Sequence, residues 1–173
     1  MILIHTALLC EAQTFIEFFK LKKINSIPKI YSNNKYLVLV GGVGKENTIS
    51  SLEYIFHNYK ISKAINIGIA GVSDKSIEIG ELFCCNHKPS NINWLPLKTV
   101  NKIQTKFEEK EISLYDMEAS YFIEISSKIL DKKDIFIFKV VSDYLSNRIL
   151  SKDFIKGLIK DISYKIINNK GFL

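Results

Sequence analysis

Two periods of apolar and polar residues alternate along this chain. Short, largely apolar runs at Ile2 to Leu8, Tyr36 to Val40, Ala64 to Ile69, Glu81 to Cys85 and Ile135 to Val141 have the length and composition of strands. The runs at Ile2 to Leu8 and Ile135 to Val141 are apolar enough to predict burial on both faces. Between the strands the apolar residues recur every three or four positions, as on a helix. Ala12, Phe15, Ile16 and Phe19 mark a helix over Glu11 to Lys22. Ile49, Leu52, Ile55 or Phe56, and Tyr59 mark one that follows Gly41-Gly42-Val43-Gly44. Ala119, Phe122, Ile123, Ser126, Ile129 and Leu130 mark a third over Met117 to Leu130. Phe154, Ile155, Leu158, Ile159, Ile162 and Ile166 mark the last, over Ser151 to Asn168. Asn25 to Asn34, with Pro28, reads as a loop. Residues 86 to 113 read as polar and irregular, with a short helix near Phe107 to Glu111.

Strands that alternate with amphipathic helices predict a three-layer α/β/α fold around a mixed, mostly parallel central sheet. Such folds bind ligands beyond the carboxyl ends of their strands. Glu11, Gly42 to Asn47, Ile69 to Gly71 and Ser142-Asp143 each follow a predicted strand, so four candidate segments fall on one rim of the sheet.

Composition narrows the class. At 173 residues, with 47% hydrophobic and 24% charged residues, the chain is expected to form one globular domain. No apolar run nears the roughly 20 residues that span a bilayer, and the start lacks the pattern of a signal peptide, so a cytoplasmic protein is expected. The net charge of +6 comes from lysines spread along the chain, with Arg148 the sole arginine, which argues against a specific nucleic-acid surface. Cys10, Cys84 and Cys85 show no zinc spacing and are expected to be reduced thiols. No metal and no cofactor is expected.

Carboxylates stand in three short segments: Leu8-Leu9-Cys10-Glu11-Ala12, Leu114-Tyr115-Asp116-Met117-Glu118-Ala119-Ser120 and Val140-Val141-Ser142-Asp143. Together with Val40-Gly41-Gly42-Val43-Gly44-Lys45-Glu46-Asn47 and Asn66-Ile67-Gly68-Ile69-Ala70-Gly71, they carry a resemblance to the nucleoside phosphorylase and nucleosidase superfamily. The chain looks nearest to its methylthioadenosine/S-adenosylhomocysteine nucleosidase branch, with matching order and intervals over residues 1 to 85 and 97 to 168.

The resemblance implies cleavage of the N-glycosidic bond of an adenosine-type purine nucleoside. It makes Asp143 the acid that protonates purine N7. Such an acid must hold a proton, which burial at the end of its apolar strand would favour, and Ser142 is placed to hold the carboxyl group. It makes Glu11 the base that takes a proton from attacking water. Glu118 would accept from both ribose hydroxyls, with Met117 against the sugar. Gly44, Ala70 and Gly71 fall in the substrate-binding loops, and Lys139 stands where relatives often carry an arginine near the water. Each acid also has a plainer reading. Glu11 and Glu118 are first-turn acids of helices, Asp143 caps a turn near Leu145, and Asp116 belongs to a helix-start capping box from Ser113.

Two departures from the family's pattern leave alternatives open. Ile69 replaces a serine or threonine, and the stretch between Cys85 and Asp116 is short, leaving Trp94, Leu95 and Pro96 as stand-ins for base-gripping residues. A phosphorylase using phosphate and a non-catalytic nucleoside-binding protein stand beside the hydrolase. A homodimer or larger assembly is expected from the same resemblance.

Overall fold

The apolar runs become the inner strands of one twisted sheet. The computed structural model describes residues 1–102, 104–105, 111–169 and 171–172. Strands β1 (Ile2–Thr6), β4 (Tyr36–Val40), β5 (Lys63–Val72) and β9 (Ile135–Asp143) run parallel, in the order β4-β1-β5-β9. Their register places His5 beside Leu39 and Asn66, and Asn66 beside Ile137.

Successive side chains of a strand point to opposite faces, and the core divides accordingly. Ile4, Val38, Ile65, Ile67, Phe136 and Phe138 pack against helices α1 (Leu9–Phe18) and α4 (Lys152–Ile167). Leu3, Leu37, Leu39, Ala64, Ile135 and Ile137 pack against α2 (Lys45–Asn58) and α3 (Ala119–Ser126). The result is the expected three-layer sandwich. Lys139 belongs by parity with Ile135 and Ile137, so it faces the α2 and α3 layer from inside the sheet.

Several local expectations are corrected. Residues 25 to 34 are not a loop: β2 (Lys22–Ser26) and β3 (Lys29–Ser32) form a hairpin that extends the sheet antiparallel to β4. The first helix therefore ends at Phe18, four residues early. Its neighbour β2 is an edge strand with exposed lysines, and such a strand shows no alternation. The short middle contributes β7 (Leu97–Thr99) and β8 (Leu114–Asp116), which pair in parallel, and β8 then pairs antiparallel with the end of β5. β6 (Leu82–Cys84) pairs antiparallel with β9. The expected helix near Phe107 to Glu111 falls largely outside the described residues. The third helix starts only at Ala119, and Ile123 and Ile129 are exposed rather than buried with Phe122.

Ala70 and Gly71 remain within β5, which continues to Val72. The carboxyl ends of β1, β4, β5 and β9 gather at one rim, where β8 delivers Asp116, Met117 and Glu118 from the side. No helix among the described residues is long and apolar enough to cross a membrane.

Candidate active site

At that rim lies a cavity of about 410 Å³, lined by Glu11, Ile69, Ala70, Gly71, Met117, Glu118, Ser142 and Asp143 among others. Glu11 and Asp143, expected after separate strands, and Glu118, expected at a helix start, thus line one hollow.

Glu11 sits in the first turn of α1 and is buried. Its Oε2 accepts from the backbone N–H groups of Ala7 (3.0 Å) and Leu8 (2.8 Å), and its Oε1 from that of Ile69 (3.1 Å). The plain helix-opening role is real, yet the Ile69 bond ties the carboxylate to a strand of the cavity wall. Burial pushes the Glu11 pKa up from the ordinary glutamate range, opposed by these backbone donors and by Lys139.

Glu118 is the residue before α3 and is also buried. Its Oε1 accepts from the Gly44 backbone N–H at 2.9 Å. Gly44 itself does not line the cavity. It holds the clamp in place from a left-handed backbone, φ 87°, that favours glycine. Burial raises the Glu118 pKa as well, with Lys139 pulling the other way.

Lys139 also lies outside the cavity lining. Its Nζ is 2.8 Å from Asp116 Oδ2, and both side chains are almost wholly buried. Burial acts to lower the Lys139 pKa, but the charges of Asp116, Glu118 and Glu11 outweigh it and raise the value. His5, in the same interior, is held at about 3 by burial and by the Lys139 charge, so it stays neutral.

The sequence places Asp116 in a helix-start capping box from Ser113. Instead it ends β8, lines the cavity, and caps α3 from outside by accepting from Ala119 N–H at 2.9 Å. Thr99 Oγ1 donates to its other oxygen at 2.7 Å. The sequence carried a signal for this partner: a lone lysine inside an apolar strand needs a buried carboxylate.

Asp143 departs from expectation in burial. It is half-buried, because β9 ends there and the chain turns away. Ser142 Oγ lies 2.8 Å from its Oδ2 and 3.2 Å from the Ala70 carbonyl, and Ser146 N–H donates to its Oδ1 at 2.8 Å. The turn-capping reading therefore holds alongside the site. A Cβ at Gly71 would stand 3.3 Å from Asp143 Oδ1, and one at Gly68 3.0 Å from Glu11 Oε1 and 3.4 Å from Lys139 Nζ. Both carboxylates lean over glycines three residues apart, roughly 10 Å along the strand. The cavity thus has a Glu11 end and an Asp143 end.

Trp94, Leu95 and Pro96 do not line this space. Trp94 Nε1 bonds the Cys85 carbonyl, and Lys88 covers its ring. Val100, Gln104 and Tyr115 line it in their stead, together with Leu145, Arg148, Ile149 and Leu150 from the loop after β9. No group of side chains suited to a metal ion occurs among the described residues.

No protein-family model matches the chain, and no curated protein matches its sequence. Solved structures do match. A 5'-methylthioadenosine/S-adenosylhomocysteine nucleosidase from Helicobacter pylori, solved with butyl-thio-DADMe-Immucillin-A, superposes with a TM-score of 0.79 at 12% identity, covering 96% of this chain and 97% of that one. Futalosine hydrolase of Helicobacter pylori gives 0.77 at 13% identity, over 92% of each chain. An aspartate-to-asparagine variant of the Chlamydia trachomatis nucleosidase, bound to methylthioadenosine, gives 0.74 at 18% identity, over 96% and 93%. The chain therefore has the nucleoside phosphorylase-like fold of these nucleosidases.

The buried pair yields a prediction. Lys139→Met leaves Asp116 charged and buried, and is expected to cost about 3–5 kcal/mol of stability. Adding Asp116→Asn should recover a large part of that loss. Denaturant unfolding of the single and double variants measures it, and simple additivity would refute the coupling.

Proposed function

We propose that this chain hydrolyses the N-glycosidic bond of a purine nucleoside. The observation that carries the reading is the convergence of Glu11, Glu118, Met117 and Asp143 on one cavity beyond the ends of the parallel strands. Each is assigned a role that its surroundings suit.

The C1′–N9 bond breaks with its electron pair passing to the purine. Asp143 gives a proton to N7, which neutralises the leaving base. Ser142 suits both states of this acid. Its hydroxyl donates to the carboxylate, or turns to the Ala70 carbonyl and accepts from the protonated form. Water attacks C1′ and loses its proton to Glu11, whose raised pKa suits a general base. Asp143 ends as a carboxylate and Glu11 as an acid, and exchange with solvent resets both.

Glu118 accepts from the 2′ and 3′ hydroxyls, fixed by the Gly44 N–H, while Met117 lies against the sugar. The transition state carries positive charge on the sugar, which the buried carboxylates stabilise.

The charge balance favours water over phosphate. The cavity wall carries Glu11, Asp116, Glu118 and Asp143 against Arg148, and Lys139 is engaged by Asp116. A phosphate dianion entering there meets four carboxylates against a single arginine. A binding protein without turnover is the second reading. It is favoured by Ile69, which puts hydrocarbon in the wall where a hydroxyl would orient water.

Base release from a panel of methylthioadenosine, S-adenosylhomocysteine, adenosine, inosine and futalosine-type nucleosides, with and without phosphate, tests the reading. Release in phosphate-free buffer is expected. Strict phosphate dependence would defeat the hydrolase, and binding without release would favour the second reading. Asp143→Asn should lower kcat by roughly 10²–10⁴ while nucleoside binding persists; an unaltered kcat would remove Asp143 from the chemistry.

The pH profile carries a sign. Glu11 and Glu118 act as ions, and burial raises both above the ordinary glutamate value of 4.5. Activity is therefore lost as pH falls through the raised values, and the acid limb of kcat/KM should lie above pH 4.5. A limb at or below that pH would contradict the assignment.

A further inference from the structure

Arg148 is the sole arginine of the chain and, among the described residues, the only basic one in the cavity wall. It is exposed, and among the described residues no ion pair or hydrogen bond engages its guanidinium. Its backbone is nonetheless placed: Arg148 N–H donates to Ser146 Oγ at 3.1 Å, and Ser146 N–H donates to Asp143 Oδ1. Arg148 thus stands five residues beyond Asp143, on the loop that caps that carboxylate. Through that turn it shares the Asp143 part of the cavity wall.

Chemistry at that end concerns the base. A guanidinium offers five N–H donors and no acceptor. On a purine, the position next to N7 is the exocyclic group at C6. A 6-oxo group there accepts hydrogen bonds, and it gathers negative charge as the C1′–N9 electron pair moves into the ring. A 6-amino group presents N–H donors to the same guanidinium. Arginine reads the O6 edge of guanine in nucleic acids on the same grounds.

Resting on the nucleosidase reading above, we propose that Arg148 is a specificity-determining residue that recognises a carbonyl oxygen at C6, so that the site prefers 6-oxopurine nucleosides to 6-aminopurine ones. The substrate class is thereby narrowed from purine nucleosides in general to the inosine and guanosine type. Asp143 supplies the proton to N7 while Arg148 holds the neighbouring oxygen, and both act on the same developing charge.

Inosine and adenosine, which share a 5′ hydroxyl and differ at C6, isolate the effect. Wild type should show a kcat/KM at least 10-fold higher for inosine. Arg148→Ala should lower the inosine-to-adenosine ratio roughly 10- to 100-fold, and Arg148→Lys should recover only part of it, because the planar fork is lost. A wild-type ratio near or below one, or a ratio unmoved by Arg148→Ala, would overturn the proposal while leaving nucleoside hydrolysis intact. Should neither nucleoside release its base, calorimetric binding of hypoxanthine and adenine to wild type and Arg148→Ala separates the two claims. An Arg148-dependent preference for hypoxanthine upholds the recognition and counts against hydrolysis of these two nucleosides. Equal binding of the two bases overturns the recognition as well.

Discussion

A cation buried within a parallel strand has to be matched from another element, and much of the site's geometry follows from that match. Lys139 points out of β9 into the layer of α2 and α3, where water cannot solvate it. Asp116 meets it from the end of β8, a strand three residues long that is also held by its pairing with β5 and β7. That meeting anchors the junction between β8 and α3, and Met117 and Glu118 are the two residues of the junction. Thr99 and Ala119 complete the hydrogen bonding of Asp116, so β7, β8 and α3 are tied to one carboxylate. Hydrophobic replacement of such a pair is often neutral or stabilising. Position, rather than stability, is what this pair supplies.

The same pair sets the electrostatics. Lys139 draws on Glu11 and Glu118 as well as Asp116, and His5 beside it stays neutral. One lysine therefore faces three buried carboxylates. Negative charge is therefore in excess in this part of the interior.

How much of this was legible in the sequence depended on how densely each segment carried its period. β1, β4, β5 and β9 each bury several consecutive positions, α4 buries Ile155, Ile159, Ile162 and Ile166 at helical spacing, and the pattern located them to within a few residues. The hairpin of β2 and β3 escaped notice because Lys22, Lys23, Asn25 and Ser26 lie on an edge strand, exposed or half-exposed, with no apolar face to betray it. β7 and β8 are too short to show any period; their existence depends on pairing with each other and with Gly71 and Val72. Glu11 and Asp143 stood out because they follow predicted strands, Glu118 because it opens an apolar helix, and all three match a family's motifs. Lys139 could not be oriented until its parity with Ile135 and Ile137 was known. Tyr115 and Val100 reach the cavity through contacts distant in sequence, whereas Trp94, the conspicuous aromatic, turns to the Cys85 carbonyl.

The plain readings of the acids and their chemical readings turn out not to compete. Glu11 opens a helix, and the donors that make it a good opening residue also hold its carboxylate still at the cavity wall. A group fixed in this way needs no reorganisation when charge develops beside it, which is the larger part of electrostatic catalysis. Asp143 caps a turn, and the capped turn is what carries Ser146 and Arg148 to the mouth of the cavity. Removing the cap would move the loop as well as the acid. The residues around the acids keep a helix start, a strand end and a turn in register, and the hollow is what those three leave between them.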